Sequence, residues 1–422
     1  MTSDTLSFTI AVVGLVWYVS IYSISLLGCI SARRRYRSRP ISLLDSAEAL
    51  HKPGVSILRP LKGLDTNLYE NLESTFKQDY PDYEIIFSVA DENDQALRIV
   101  ESLKSRYPNV KVSVIIGEEV VGVNPKVNNL VRSFKMAAND IVWVLDSGVM
   151  VDSGTLSRSV NILNKSPSGT KRRIGLVHHV PLALIDETQF GSRLEAAFLN
   201  TNHAKMYIAI NTVAIESCVV GKSNLYRRSD LNRLDGSLTP IQSQTTRNSG
   251  KHGLPAFGRF LAEDNMIASA LWHELDLRHD LSCDVARNVV GNMSFSDYVW
   301  RRVRWIRVRK RMVLAATVAE PFQESIIVGM IGALSVGALY GFSFWIFIVF
   351  HFMAWISIDL DVHSSLSGHG LRQNEWISFF LAWIGRELLA LPIWIIAMTG
   401  DEVIWRGRRY YVLQNGEAKL VE

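Results

Sequence analysis

Ile141-Val142-Trp143-Val144-Leu145-Asp146-Ser147-Gly148 is a run of five apolar residues that stops at an aspartate. The apolar run reads as a strand, and Asp146, following it, emerges at the sheet edge. Working outward, Val55–Leu58, Glu84–Val89 and Val110–Ile116 are similar β-rich runs, while Leu68–Phe76, Asp94–Tyr107 and Lys126–Ala137 carry helical periodicity. This alternation predicts an α/β domain with a mixed, mostly parallel sheet flanked by helices, and places ligands beyond the C-terminal strand edges. Asp146 and Asp91, the latter in VADENDQA, both fall just past such ends.

The flanks of this domain are apolar. Leu6–Ala32 has no charged residue and is followed by Arg33, Arg34, Arg35, Arg37 and Arg39, the pattern of an uncleaved anchor with its N-terminus outside. Ile326–Ile358 is also free of charge but would run about 50 Å as one helix against a ~30 Å hydrocarbon core. Two spans meeting near Gly341 are expected instead. Trp376–Met398 is a further span whose Arg386-Glu387 pair must turn toward other helices as a structural ion pair. Counting spans places the C-terminus outside, whereas Arg406, Arg408 and Arg409 favour the cytosolic side, a conflict that a re-entrant segment would resolve. The expected organisation is an anchor over 1–32, a globular domain over 33–317 and a membrane region with tail over 318–422. The globular part carries a flexible insert at 235–253 and an interfacial helix at 294–317.

Composition narrows the class. The formal charge of +4 over 422 residues is small, and the basic residues cluster beside the apolar segments, which points to the lipid bilayer and not to nucleic acid. Cys29, Cys218 and Cys283 have neither disulfide nor zinc-ligand spacing, in keeping with a cytosol-facing domain.

The candidate chemistry lies in islands. Asp146 can meet a metal-bound diphosphate at the sheet edge, or cap a helix. Asp91 carries the same ambiguity, because Asp94 can begin the next helix. Lys126, in Pro125-Lys126-Val127-Asn128-Asn129, can meet a phosphate or be a solvated lysine at a helix start, and Asn129 can cap the helix or touch a nucleotide. Arg59 and Lys62 read as a basic loop after the first strand, with a nucleotide pocket as the alternative. Glu263-Asp264 opens the helix EDNMIASALW: an acidic first turn is the plain reading, and Asp264 as a base beside a bound acceptor is the chemical one. Arg301-Arg302-Val303-Arg304-Trp305 fits an interfacial helix and equally supplies forked donors and an aromatic wall to a diphosphate.

Taken together, VADEND, PKVNNL, VLDSG, LAED and RRVRW resemble the membrane GT-A glycosyltransferases with the D, D, D, (Q/R)xxRW signature. Within them, ILRPLKGLD, GLVHHVP, NHAKMYIA and CVVGKSNLYRR resemble the ceramide glucosyltransferase family, and the likeness spans Val55 to Trp305. The resemblance implies a GT-A fold and inverting transfer of glucose from UDP-glucose to the primary hydroxyl of ceramide. It implies that Asp91 binds the uridine part, that Asp146 serves metal and diphosphate, and that Asp264 is the general base. Arg301, Arg304 and Trp305 would close the site around diphosphate and acceptor, with Lys126 on the donor and with His203 and Glu263 as acceptor-site candidates. The cofactor implied is Mg2+ or Mn2+, and the location a Golgi or related endomembrane with the catalytic domain cytosolic. Asp146-Ser147-Gly148 departs from the pattern by lacking the second acid of a DxD metal site. Arg301 stands where processive polysaccharide synthases often have Gln, which weakens that alternative. A polyprenyl-phosphate glycosyltransferase and a catalytically silent membrane scaffold are the other rivals.

Overall fold

The computed structural model describes residues 3–38, 52–165, 172–185, 189–240 and 250–421. Arg39 and residues 241–249 of the expected insert lie outside them. The chain divides into two compact units, one formed by Met1–Ser38, Glu187–Thr212 and Asn292–Val403, the other by Arg39–Asp186, Val213–Gly291 and Ile404–Glu422.

In the second, globular unit, eight strands among the described residues form one sheet: β1 (Val55–Leu61), β2 (Tyr83–Val89), β3 (Lys111–Ile116), β4 (Ile141–Leu145), β5 (Val149–Met150), β6 (Ile174–Ile185), β7 (Ser223–Arg227) and β8 (Arg278–Val290). Their order is β3-β2-β1-β4-β7-β6-β8-β5. β1 to β4 pair in parallel, as does β6 with β8, while β7 runs antiparallel to both β4 and β6. Helices Leu68–Phe76, Ala96–Arg106, Pro125–Met136 and Thr155–Leu163 lie between the strands in sequence, and Leu72, Val100, Val127 and Leu156 on them are fully buried. All five residues of β4 are buried, which explains why its sequence is continuously apolar and does not alternate.

Two sequence expectations change here. β1 continues to Leu61, paired residue by residue with β2, so Arg59 is a buried strand residue and not part of a basic loop. Arginine followed by proline hides the end of the strand from a reading based on apolar runs. The second half of the sheet was not foreseen, because its strands bury polar groups. His179 sits between Ser159 Oγ at 3.0 Å and Ser223 Oγ at 2.7 Å, and Arg158 forks onto Asp284 with two contacts of 2.7 Å.

The first unit holds the apolar helices. Ser3–Tyr36, Phe344–Ser367 and Trp376–Met398 contain spans long and apolar enough to cross a membrane, and Leu314–Gln323 with Ser325–Tyr340 forms a pair bent by 70°, either a broken span or a re-entrant loop. Ser325–Tyr340 and Phe344–Ser367 are separated at Gly341, whose φ of 69° ends the first helix in a left-handed cap. The N-terminal helix outruns the expected anchor by four residues, since arginines at its end suit a helix C-terminus. The expected interfacial helix over 294–317 is instead two. Phe295–Lys310 begins at a Ser294/Asp297 capping box, and Leu314–Ala319 follows a break. That break is pinned where Lys310 Nζ donates to Gly400 O at 2.5 Å and Lys310 and Arg311 both pair with Asp401 at 2.7 Å.

Charges inside this unit are paired. Arg386 contacts Glu324 at 3.0 Å and also pairs with Glu387, as expected for two charges turned toward other helices. Lys205 and Asp359, both without exposure, pair at 2.8 Å, and Trp383 Nε1 donates to the second Asp359 oxygen at 2.8 Å. The Lys205 ammonium also lies 3.9 Å from the centre of the Trp355 ring.

Candidate active site

Within the globular unit, β4 delivers Asp146 and helix Pro125–Met136 delivers Lys126 to one point. Lys126 Nζ lies 2.8 Å from Asp146 Oδ1 and 2.9 Å from Glu263 Oε1. The helix start that holds Lys126 is fixed by Asn124, whose side chain accepts from Lys126 N at 2.8 Å and Val127 N at 3.3 Å. The same amide donates to Glu263 Oε2 at 2.8 Å, so both Glu263 oxygens are engaged. Lys222, from the turn into β7, reaches Asp146 Oδ2 at 3.3 Å. Lys126 is therefore no solvated lysine but a partly buried cation between two carboxylates.

Asp264 stands in the first turn of helix Glu263–His273. Burial first, and then the neighbouring Glu263 carboxylate, push its pKa up to about 7, against the pull of Lys126. Burial pushes Asp146 in the same direction, but Lys126 and Lys222 outweigh it and hold that carboxyl below its ordinary value. Two acids in one cluster thus have opposite tendencies, the pattern expected of one group that holds charge and another that exchanges a proton.

Gly221 leaves room for Asp264. A Cβ at this position would stand 2.0 Å from Asp264 Oδ2 and 2.4 Å from its Cγ. We expect Gly221→Ala to displace Asp264 and lower kcat/KM by about tenfold or more with the fold retained. Steady-state kinetics together with a melting curve check this, and an alanine variant of unchanged activity would contradict it.

The loop after β4 is held from below. Arg59, fully buried, donates to Val149 O at 3.1 and 3.2 Å and to Ser147 O at 3.3 Å, and Ser147 Oγ donates to the Asp65 carboxylate. Asp91 stands exposed past β2 and accepts from Asn93 N at 2.9 Å. Asn129 is buried and donates to Leu61 O at 3.2 Å and Ser88 O at 3.0 Å, so it ties β1 to β2 and does not cap its helix. Lys222, Gly221 and Asn124 were not singled out from the sequence. An Asn directly before Pro is a readable cap signal, whereas Lys222 has no local mark.

Arg301, Arg304, Trp305 and His203 belong to the other unit. Arg301 Nε donates to Glu195 Oε1 at 2.8 Å, and its guanidinium lies 5.0 Å from the Trp305 ring centre. Arg304 is half-buried on the same helix. His203 closes the π-helical turn Leu199–His203 and stacks on Tyr207 at 5.6 Å, with Trp305 6.4 Å away. Burial, reinforced by Arg302 and Arg309, lowers its pKa to about 3, which keeps the ring neutral. Arg302 packs its guanidinium 3.5 Å from the Phe198 ring centre, Arg307 donates to Glu402 O at 2.6 Å, and Arg309 pairs with Glu320. Several arginines of this helix thus serve the protein's own packing.

Among the described residues no three His, Cys, Asp or Glu side chains group as a metal cage. The site fits a divalent cation only in the manner of magnesium, which takes one or two carboxylates and completes its shell with substrate phosphates and water. The Asp146 carboxylate at the end of β4 is paired in this structure with Lys126 and Lys222.

A sheet of this order, with acids and lysines gathered past its strand ends, is the frame of a GT-A-type glycosyltransferase. The model for glycosyl transferase family 21 matches residues 15–418, and the chain belongs to that family. It is 36% identical to a ceramide glucosyltransferase of Komagataella phaffii over 96% of this chain and 90% of that protein. It is 33% identical to one of Candida albicans over 94% and 95%. A mannosyltransferase structure from Pyrobaculum calidifontis aligns with a TM-score of 0.49 at 16% identity, covering 92% of this chain and 98% of that one.

Proposed function

We propose that this enzyme transfers glucose from UDP-glucose to the primary hydroxyl of ceramide, with inversion, giving glucosylceramide and UDP. The observation that carries the chemistry is the cluster in which Lys126 joins Asp146 and Glu263 beside Asp264, a carboxyl poised to exchange a proton near neutrality. Family membership and the two fungal relatives support the acceptor and the sugar.

In this reading the ceramide oxygen attacks the anomeric carbon as its proton passes to Asp264, and the bond to UDP breaks on the opposite face. Lys126 and Lys222 stabilise the charge growing on the departing diphosphate, and Arg301 and Arg304 of the other unit are the further diphosphate candidates that the family resemblance names. Asp91 holds the uridine and Glu263 borders the acceptor, while in the other unit Trp305 and His203, the latter kept neutral, are the candidates the family resemblance names. A divalent cation, Mg2+ or Mn2+, held by Asp146 and the donor phosphates would add Lewis-acid neutralisation of the leaving group. The acyl chains of ceramide stay in the bilayer, which is the medium the apolar helices suit. A Golgi or related endomembrane, with the globular unit on the cytosolic side, completes the proposal.

The test is transfer from labelled UDP-glucose by purified protein in lipid-containing detergent, with UDP-galactose in parallel. One sugar on ceramide with release of UDP is the expected product. A polymer, a glycosylated lipid phosphate, or no product from folded protein supplied with metal would reject the proposal. Because the base must be ionised, kcat/KM should climb as pH rises through about 7, the value set by burial and Glu263. A flat profile from pH 5 to 9 would remove Asp264 from that role.

A further inference from the structure

Arg301 is held by a side chain that no motif marks. Glu195 lies in helix Phe190–Phe198 and is 1% exposed. Its Oε1 accepts from Arg301 Nε at 2.8 Å, while its Oε2 is buried with no partner. A buried carboxylate is costly unless it is paired and hydrogen-bonded, so this one leans on Arg301 for its compensation.

The geometry of the contact is informative. An ion pair built for strength alone would put both carboxylate oxygens on a guanidinium edge. Here one oxygen takes the inner nitrogen, Nε, and the Trp305 ring lies 5.0 Å from the guanidinium carbon. A contact at Nε and an aromatic neighbour together restrict rotation of the guanidinium. Nη1 and Nη2, the two outer nitrogens, make no hydrogen bond among the described residues, and the side chain keeps 23% of its exposure. That is the arrangement of a fork held from behind.

We propose that Glu195 is a positioning residue for the transfer reaction, fixing the direction of Arg301 so that its two outer nitrogens stay available to a phosphate group of the donor. This rests on the diphosphate role given to Arg301 above. Neutralising Glu195 leaves the guanidinium charged but replaces its charge-assisted contact by a weaker one to an amide, which loosens its direction. The loss therefore belongs to donor binding and leaving-group stabilisation and not to capture of the lipid.

The test compares Glu195→Gln, Arg301→Lys and the double variant in detergent. Each is assayed for KM toward UDP-glucose and toward ceramide, and for UDP affinity by titration calorimetry, with a melting curve as the folding control. We expect Glu195→Gln to raise KM for UDP-glucose and Kd for UDP about ten- to a hundredfold while KM for ceramide changes less than about twofold. In the Arg301→Lys background the same substitution should have less than about a twofold effect, because there is no fork left to aim. Equal losses in both backgrounds, or a change confined to ceramide, would overturn the role of Glu195 alone. An Arg301→Lys enzyme identical to the parent would overturn the role of Arg301 and that of Glu195 with it. If the Gln variant does not fold, Glu195→Asp retains the charge with a shorter reach. The same rise in KM for UDP-glucose, abolished in the Arg301→Lys background, supports the proposal, and its absence rejects it.

Discussion

Replacing Asp264 by Asn should lower kcat by about 10²- to 10⁴-fold while the protein stays folded, the range lost when a positioned general base is removed. The stability side has a definite sign. Burial and Glu263 raise the folded-state pKa of Asp264 from 3.8 to about 7, so between these values the folded protein binds more protons than the unfolded chain. Stability attributable to this group is present at low pH and lost as pH rises through that window. Asn cannot ionise, so the variant should melt at the same temperature as the parent near pH 4 and at an equal or higher temperature at pH 8. Melting curves at the two pH values, run beside single-turnover kinetics, make the check. A variant that melts lower at pH 8 would mean that the carboxylate is a structural anion, and its lost activity would then say nothing about proton transfer.

The second large effect lies among the apolar helices. Lys205→Met removes one partner of a pair whose members have no exposure, leaving Asp359 with the Trp383 indole as its remaining donor among the described residues. Breaking a buried pair in this way costs about 3–5 kcal/mol. Removing both charges, as in Lys205→Met with Asp359→Leu, should recover most of that loss, since no buried ion is left uncompensated. Thermal unfolding in a fixed detergent distinguishes the cases. Equal melting of the parent and the single variant would show that the pair is solvated or dispensable, and failure of the double variant to recover would locate its value in the Trp355 and Trp383 contacts.

How much of this was legible depends on what each element buries. The parallel half of the sheet was readable because β1, β2 and β4 fill their cores with aliphatic and aromatic residues, and helix Leu68–Phe76 coincides with its expected bounds. β6, β7 and β8 were silent because they bury polar residues, among them His179, Ser223 and Asp284, whose partners Ser159, Trp143 and Arg158 come from distant segments. A reading based on apolar runs discounts such strands. The same distinction governs the site. Asp146 and Asp264 stand at element boundaries where the sequence changes character. Lys222 matters only because β7 lies beside β4, a neighbour relation that no local pattern contains. Glu195 sits in an ordinary helix, and only the chain's return at Arg301 gives it a meaning.

The π-helical turn Leu199–His203 has a consequence for how this chain can change over time. A widened turn carries one residue more than an α-helical turn needs, and each residue in a helix advances the facing direction by about 100°. Deleting a single residue there would be locally painless, because a regular helix would close over the gap. Everything on one side of the deletion would nevertheless be rotated against the other, so that Glu195, before the turn, and Lys205, after it, could not both keep the neighbours they now have, Arg301 for one and Asp359 for the other. The turn acts as a phase lock between the Glu195–Arg301 contact before it and the buried Lys205–Asp359 pair after it. Loss of one residue should therefore be less tolerated at this place than many substitutions within it.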